Sequence, residues 1–179
     1  MADPNIVVAT FEEESKTYQA FSEIKQAGAR REIKVESLAI VRRAADGSLQ
    51  TPELTGQAPG GTFKGGLIGS LIGILGGPLG VLLGWGTGAV IGSIHDANEI
   101  RSDLGLLQTL SEGMNPGDVA LIGEIEESSN GVVNGIVRRL GGEVLRRPVD
   151  EIRREIERAD KARSAAESEA RRVMDEPEA

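Results

Sequence analysis

Residues 60–92 read GGTFKGGLIGSLIGILGGPLGVLLGWGTGAVIG, and this stretch decides how the rest of the chain divides. Gly61, Gly65, Gly69, Gly73 and Gly77 recur at every fourth position. After Gly76-Gly77-Pro78 a second series runs Gly76, Gly80, Gly84, Gly88 and Gly92. Residues four apart lie on one side of an α-helix, so each series lines one side with glycine while Leu, Ile, Val, Phe and Trp fill the rest. Glycine costs about 1 kcal/mol relative to alanine inside a helix, so such helices need a facing partner. Close backbone approach offsets the loss through tight van der Waals packing and weak Cα–H···O contacts. Pro78 disfavours helical geometry at Gly77 and can itself start a helix. The expectation is an antiparallel glycine-zipper hairpin turning at Gly76, Gly77 and Pro78. Arms of roughly 16 to 18 residues reach about 24 to 27 Å, marginal against a hydrocarbon core of about 30 Å.

From Gly56 to Ile94 there is no acidic residue and Lys64 is the only full charge, which sets this insert apart from its flanks. Before it, the β-branched run in Asn5 to Thr10 reads as a strand. Glu12, Glu13 and Glu14 suit a helix N-terminus, Tyr18, Phe21 and Ile24 follow at helical spacing, and Gly28 is the expected stop. Ile33 to Arg43 is a second strand, with a turn at Asp46-Gly47 and an extended piece around Leu49. After the insert, Ile100, Leu104, Leu107 and Leu110 form a helical stripe, ended before the turn Asn115-Pro116-Gly117-Asp118. Val119 to Glu126 is a strand with Val119, Leu121 and Ile125 on one face. Ser128 or Ser129 is the expected cap of a helix carrying Val132, Val133, Ile136, Val137 and Leu140; Gly141-Gly142 ends it and Val144-Leu145 opens the next strand.

Two β-α-β units pack most simply as an α+β, ferredoxin-like split βαβ domain, a four-stranded antiparallel sheet with two helices on one face. It takes residues 1–56 and 96–148, with the hairpin 57–95 inserted and a charged C-terminal helix or tail at 149–179. In that tail Val149, Ile152, Ile156, Ala159, Ala166 and Ala170 are sparse among Glu and Arg, so it reads as solvated or lying on a partner, and dispensable for folding.

Composition narrows the function. Aromatics are 3% against 39% apolar residues in 179, so one core built from Val, Ile, Leu and Ala is expected. The 20 Lys and Arg against 28 Asp and Glu leave a net charge of −8, which disfavours nucleic acid, since phosphates require a concentrated basic face. Without cysteine there are no disulfides, thiolate metal sites or cysteine nucleophiles. The start Met1-Ala2-Asp3-Pro4 lacks the basic segment of a secretory signal, so a cytoplasmic start is the expectation.

Sharper motifs fail on spacing. Gly84, Gly86 and Ala89 fit G-x-G-x-x-A with Asp103 downstream, but Gly80 and Gly92 extend the same series and no separate strand precedes it. Lys64 within Gly60–Gly66 is neither preceded by Gly nor followed by Ser or Thr, so a phosphate loop is not formed. His95 and Asp96 point to different sides of a helix and have no nucleophile. Arg138-Arg139 and Arg146-Arg147 could meet anionic headgroups, yet their acidic surroundings favour a solvated face. No catalytic, cofactor or metal residues emerge, and an enzyme is not expected.

The N-terminal β-α-β unit, the glycine hairpin ending in Gly84-Trp85-Gly86-Thr87-Gly88-Ala89-Val90-Ile91-Gly92, Asp96 just after it, and Leu110 through Asn115-Pro116-Gly117-Asp118-Val119-Ala120-Leu121 together resemble the bacterial domain-of-unknown-function family twelve-sixty-nine. The likeness covers roughly residues 5–148, and the family is usually labelled a predicted membrane protein with no established activity. The leading expectation is a non-enzymatic, membrane-associated, self-associating protein at the cytoplasmic face of the inner membrane, to which the resemblance adds a stress or envelope role. Membrane lipid, further copies of the chain and a protein partner for residues 149–179 are its expected partners. The alternative is a soluble homo-oligomeric scaffold or shell whose hairpins share a core. Two features favour it: the uncharged tip Leu75-Gly76-Gly77-Pro78-Leu79, and Trp85 lying within an arm instead of at an interface.

Overall fold

A computed structural model describes residues 4–56, 66–76, 105–107, 110 and 114–175. Chain order is β1 (Asn5–Thr10), α1 (Glu14–Ala29), β2 (Lys34–Arg43), β3 (Leu49–Gly56), α2 (Leu67–Gly76), β4 (Val119–Glu126), α3 (Gly131–Arg139), β5 (Glu143–Pro148) and α4 (Val149–Asp175). Residues 105–107 and 110 are also helical. The strands form one antiparallel sheet in the order β3-β2-β4-β1-β5, so the class is α+β as the sequence implies.

Five strands stand where four were expected. The piece around Leu49 pairs with β2 from Ser37↔Gly56 to Arg43↔Leu49, with a bulge between Ile40 and Arg42. The turn that makes this possible is built at Asp46-Gly47. Gly47 holds φ 82°, and Asp46 Oδ1 accepts from the Ser48 amide at 3.0 Å and its hydroxyl at 2.6 Å, which keeps the Asp46 carboxyl below its ordinary pKa. At the start of β4, Asp118 Oδ2 accepts from the Asn115 amide at 2.6 Å while Gly117 takes φ 97°, fixing the turn before the strand. Buried Arg43 donates to the Met114 carbonyl and ties β2 to that turn.

Helix ends differ from expectation in two places. α1 passes Gly28 and stops at Arg30, where Arg31 takes the left-handed conformation at φ 61° and the Glu32 amide bonds back to Ala27. The residue before α3 is Asn130, not Ser128 or Ser129, and no side chain caps it. Gly141 does end α3, at φ 75°, with the Gly142 amide on the Val137 carbonyl. Gly142 itself has no room for a side chain, because a Cβ there would sit 2.4 Å from the Phe11 ring.

The sheet is covered on both faces. On the first, Ala20, Phe21, Ile24 and Ala27 of α1 and Val133, Ile136 and Val137 of α3 pack on Val7, Leu38, Ile40, Leu121 and Ile125. On the second, Ile6, Val8, Ala39, Val41 and Ile122 meet Ile68, Leu71, Ile74 and Leu75 of α2, Leu106, Leu107 and Leu110, and Val149, Ile152, Ile156 and Ala159 of α4. The first half of the charged helix is thus core and not a solvated tail. Its entry is fixed where the Val149 amide donates to the Pro4 carbonyl at 3.1 Å.

Candidate self-association surface

α2 is apolar all round, yet it uses only one side for the sheet. Ile68, Leu71 and Leu75 are fully buried and Ile74 nearly so. At 100° per residue, Gly66, Gly69, Gly73 and Gly76 fall on the opposite side. Gly66, Gly73 and Gly76 are exposed and Gly69 is half-buried. A Cβ built on Gly66 or Gly73 would meet nothing within 4 Å, whereas one on Gly76 would lie 3.4 Å from the Leu49 Cβ. Leu71 points into the core. Of the sequence-derived stripe, Gly69, Gly73 and the turn residue Gly76 are described; Gly61, Gly65, Gly77, Pro78, Gly80, Gly84, Gly88 and Gly92 lie outside the described residues. So do Lys64, Trp85, Ala89, His95, Asp96 and Asp103. Gly66 joins the exposed side although the four-residue spacing does not include it.

The return from the insert is held by α4. Glu155, buried in that helix, accepts at Oε2 from the amides of Leu106 at 3.0 Å and Leu107 at 3.2 Å. Two successive amides of a helical segment thus share one carboxylate oxygen. Sequence reasoning missed Glu155, whose partner lies far away in the chain; only its place beside the Ile152, Ile156, Ala159 stripe hints that it faces inward.

The arginines divide. Arg139 is exposed and pairs with Glu23, as a solvated face implies, but Arg146 is mostly buried. Its Nε donates to Glu127 Oε1 at 2.8 Å and its Nη1 to Asn134 Oδ1 at 2.7 Å, while Arg147 donates to the Arg146 carbonyl at 3.0 Å. The solvated face expected for Arg146 is thereby corrected, since its side chain is mostly buried against Glu127 and Asn134. An open cleft of about 630 Å³ at the end of α1 is lined by Lys25, Arg31, Lys34, Glu32, Glu126 and Ser128. There Lys34 lies 2.5 Å from Glu36 and 3.4 Å from Glu126, and its pKa rises through those contacts. Among the described residues no three His, Asp or Glu gather as a metal site, and no helix is long and apolar enough to cross a membrane.

Glu124, half-buried on the second face of β4, is the carboxylate that the fold disfavours. Burial raises its pKa above the ordinary 4.5, assisted by Glu36 and opposed by Arg153 and Lys34. The folded state therefore holds the proton more tightly than the unfolded chain. Stability from this group is present below pH 4.5 and is lost as pH rises through the raised folded value. Glu124→Gln is expected to stabilise the protein at pH 7, by less than about 1 kcal/mol because solvent screens the site, and to lose that gain below the carboxylate range. Urea midpoints at the two pH values measure this; an equal difference at both would refute it.

The comparison with known families adds identity to this geometry. The sequence profile of the family described as "Protein of unknown function (DUF1269)" matches residues 58–159, more than half of the chain. The chain belongs to this family. The DUF1269 match differs in extent from the likeness read in the sequence: it begins after β3, takes in the insert, and runs past Pro148 to Ala159. It therefore includes Glu155 and ends at Ala159, the last of the described α4 residues in the second core. No curated protein and no solved structure matches the chain.

Proposed function

We propose that this DUF1269 protein is a non-enzymatic, self-associating scaffold, in which the glycine side of α2 receives a helix from a second copy. One observation carries the reading: Gly73 occupies an exposed helix position with open space around its Cα, where alanine would be better by roughly 1 kcal/mol. The described fold has no use for glycine there, and backbone-to-backbone helix contact does. The strand order β5-β1-β4-β2 with α1 and α3 on one face accords with a split βαβ, ferredoxin-like core, to which β3 adds an edge. On this reading the core is a platform, and the insert is the part that associates.

Gly73→Leu tests it. The open surroundings mean that the monomer should keep its fold and gain stability of about 0.8 kcal/mol from helix propensity, while assembly is lost. Gly135→Leu is the matched control, an equally open helix glycine on the other sheet face. Sedimentation velocity on the three full-length chains decides: unchanged size in Gly73→Leu defeats the proposal.

A second reading, peripheral attachment to a bilayer at the cytoplasmic face, is favoured by the absence of any charged residue from Gly65 to Ile94. Flotation of the same chains with anionic and neutral vesicles separates it from the scaffold.

A further inference from the structure

The second face of the sheet is assembled from three separated pieces: α2, the helical residues 105–107 and 110, and the first half of α4. α2 lies within the insert, residues 105–107 and 110 follow it in the chain, and α4 comes later still. Apolar contact alone would let the pieces slide, because it has little direction. Glu155 of α4 supplies a directional tie, its Oε2 holding the amides of Leu106 and Leu107. Its other oxygen rests against Gly105, where a Cβ would come within 3.2 Å of Oε1. A glycine at 105 therefore matches the close approach of this carboxylate.

We infer that α4 is a clasp: Glu155 locks the helical residues 105–107 to the second face, and these residues and α2 open from that face together when the lock is removed. The inference is independent of what binds the glycine stripe. The sheet pairings of β1, β2 and β4, and the first-face core beneath α1 and α3, contain no residue of the insert. They can persist while α2 and residues 105–107 lift. α4 stays seated through Val149, Ile152, Ile156 and Ala159, so the lock is separable from the helix that carries it.

Native-state amide hydrogen exchange on the full chain tests this with Glu155→Leu, Glu155→Gln and the exposed control Glu157→Gln. In Glu155→Leu the amides of Leu106, Leu107 and residues 67–76 should exchange at least about tenfold faster, the loss of a charge-assisted pair of hydrogen bonds, while β1, β2 and β4 keep their rates. Glu155→Gln keeps an amide oxygen as acceptor and should fall between wild type and Glu155→Leu. Unchanged exchange in residues 67–76 and 105–107 would overturn the clasp. Equal acceleration of these residues and the sheet would overturn it too, because Glu155 would then support the whole fold and not a local opening.

Discussion

A chain ended after Pro148 is expected to lose its cooperative thermal transition. This reverses the expectation drawn from the charged tail, and the reason is burial. Val149, Ile152, Ile156 and Ala159 close the second core over Ile6, Val8 and Ile122. Removing the three larger side chains forfeits about 5 to 9 kcal/mol of apolar burial, set against a total stability of about 5 to 15 kcal/mol for a typical domain. The cut also strips the Glu155 carboxylate from the Leu106 and Leu107 amides. Ending the chain after Arg163 keeps those contacts and is expected to leave the transition within a few degrees of full length. Differential scanning calorimetry of both truncations checks the claim. A cooperative transition at the native temperature in the shorter chain would show that α4 adds nothing essential, and the two-faced core would have to be abandoned.

How much of this was legible in the sequence depends on the range over which each signal acts. The start of Val119–Glu126 and its preceding turn were readable because Asn115, Gly117 and Asp118 are neighbours that act on one another directly. The end of α3 at Gly141 was readable for the same reason. Arg31 was not, since a left-handed arginine follows no local preference. The second layer did leave a trace: Ile6-Val7-Val8-Ala9, Leu38-Ala39-Ile40-Val41 and Val119-Ala120-Leu121-Ile122 are apolar at consecutive positions, the pattern of strands buried on both faces. Reading them as one-faced strands left α4 without a seat. Its apolar stripe is thin, and nothing in it names the sheet that covers it. On α2 the glycine spacing located the stripe, but helix periodicity alone does not say which side faces the core. Ile68, Leu71 and Leu75 take that side, and the glycines are left outside.

Arg146 and Glu127 make the other large prediction. The Glu127 side chain is 1% exposed and that of Arg146 15%, so both charges have left water. Glu127 Oε1 accepts from Arg146, while Oε2 has no hydrogen-bond partner among the described residues. A buried pair of this kind is held against a desolvation penalty that nearly cancels its attraction. Arg146→Met should therefore cost about 3 to 5 kcal/mol, because it strands the Glu127 carboxylate and takes a donor from Asn134. Glu127→Leu should cost a similar amount by stranding the guanidinium. The double variant removes both charges and should recover most of the loss, since the site between β5 and α3 then needs only apolar packing. Urea denaturation of the four chains gives the coupling energy. Additive losses would mean that the two groups do not depend on each other, and that Arg146 draws its stability from Asn134 or from solvent. Strong positive recovery places the ion pair where the geometry puts it, as a fixed charge pair under α3 whose members are tolerated only together.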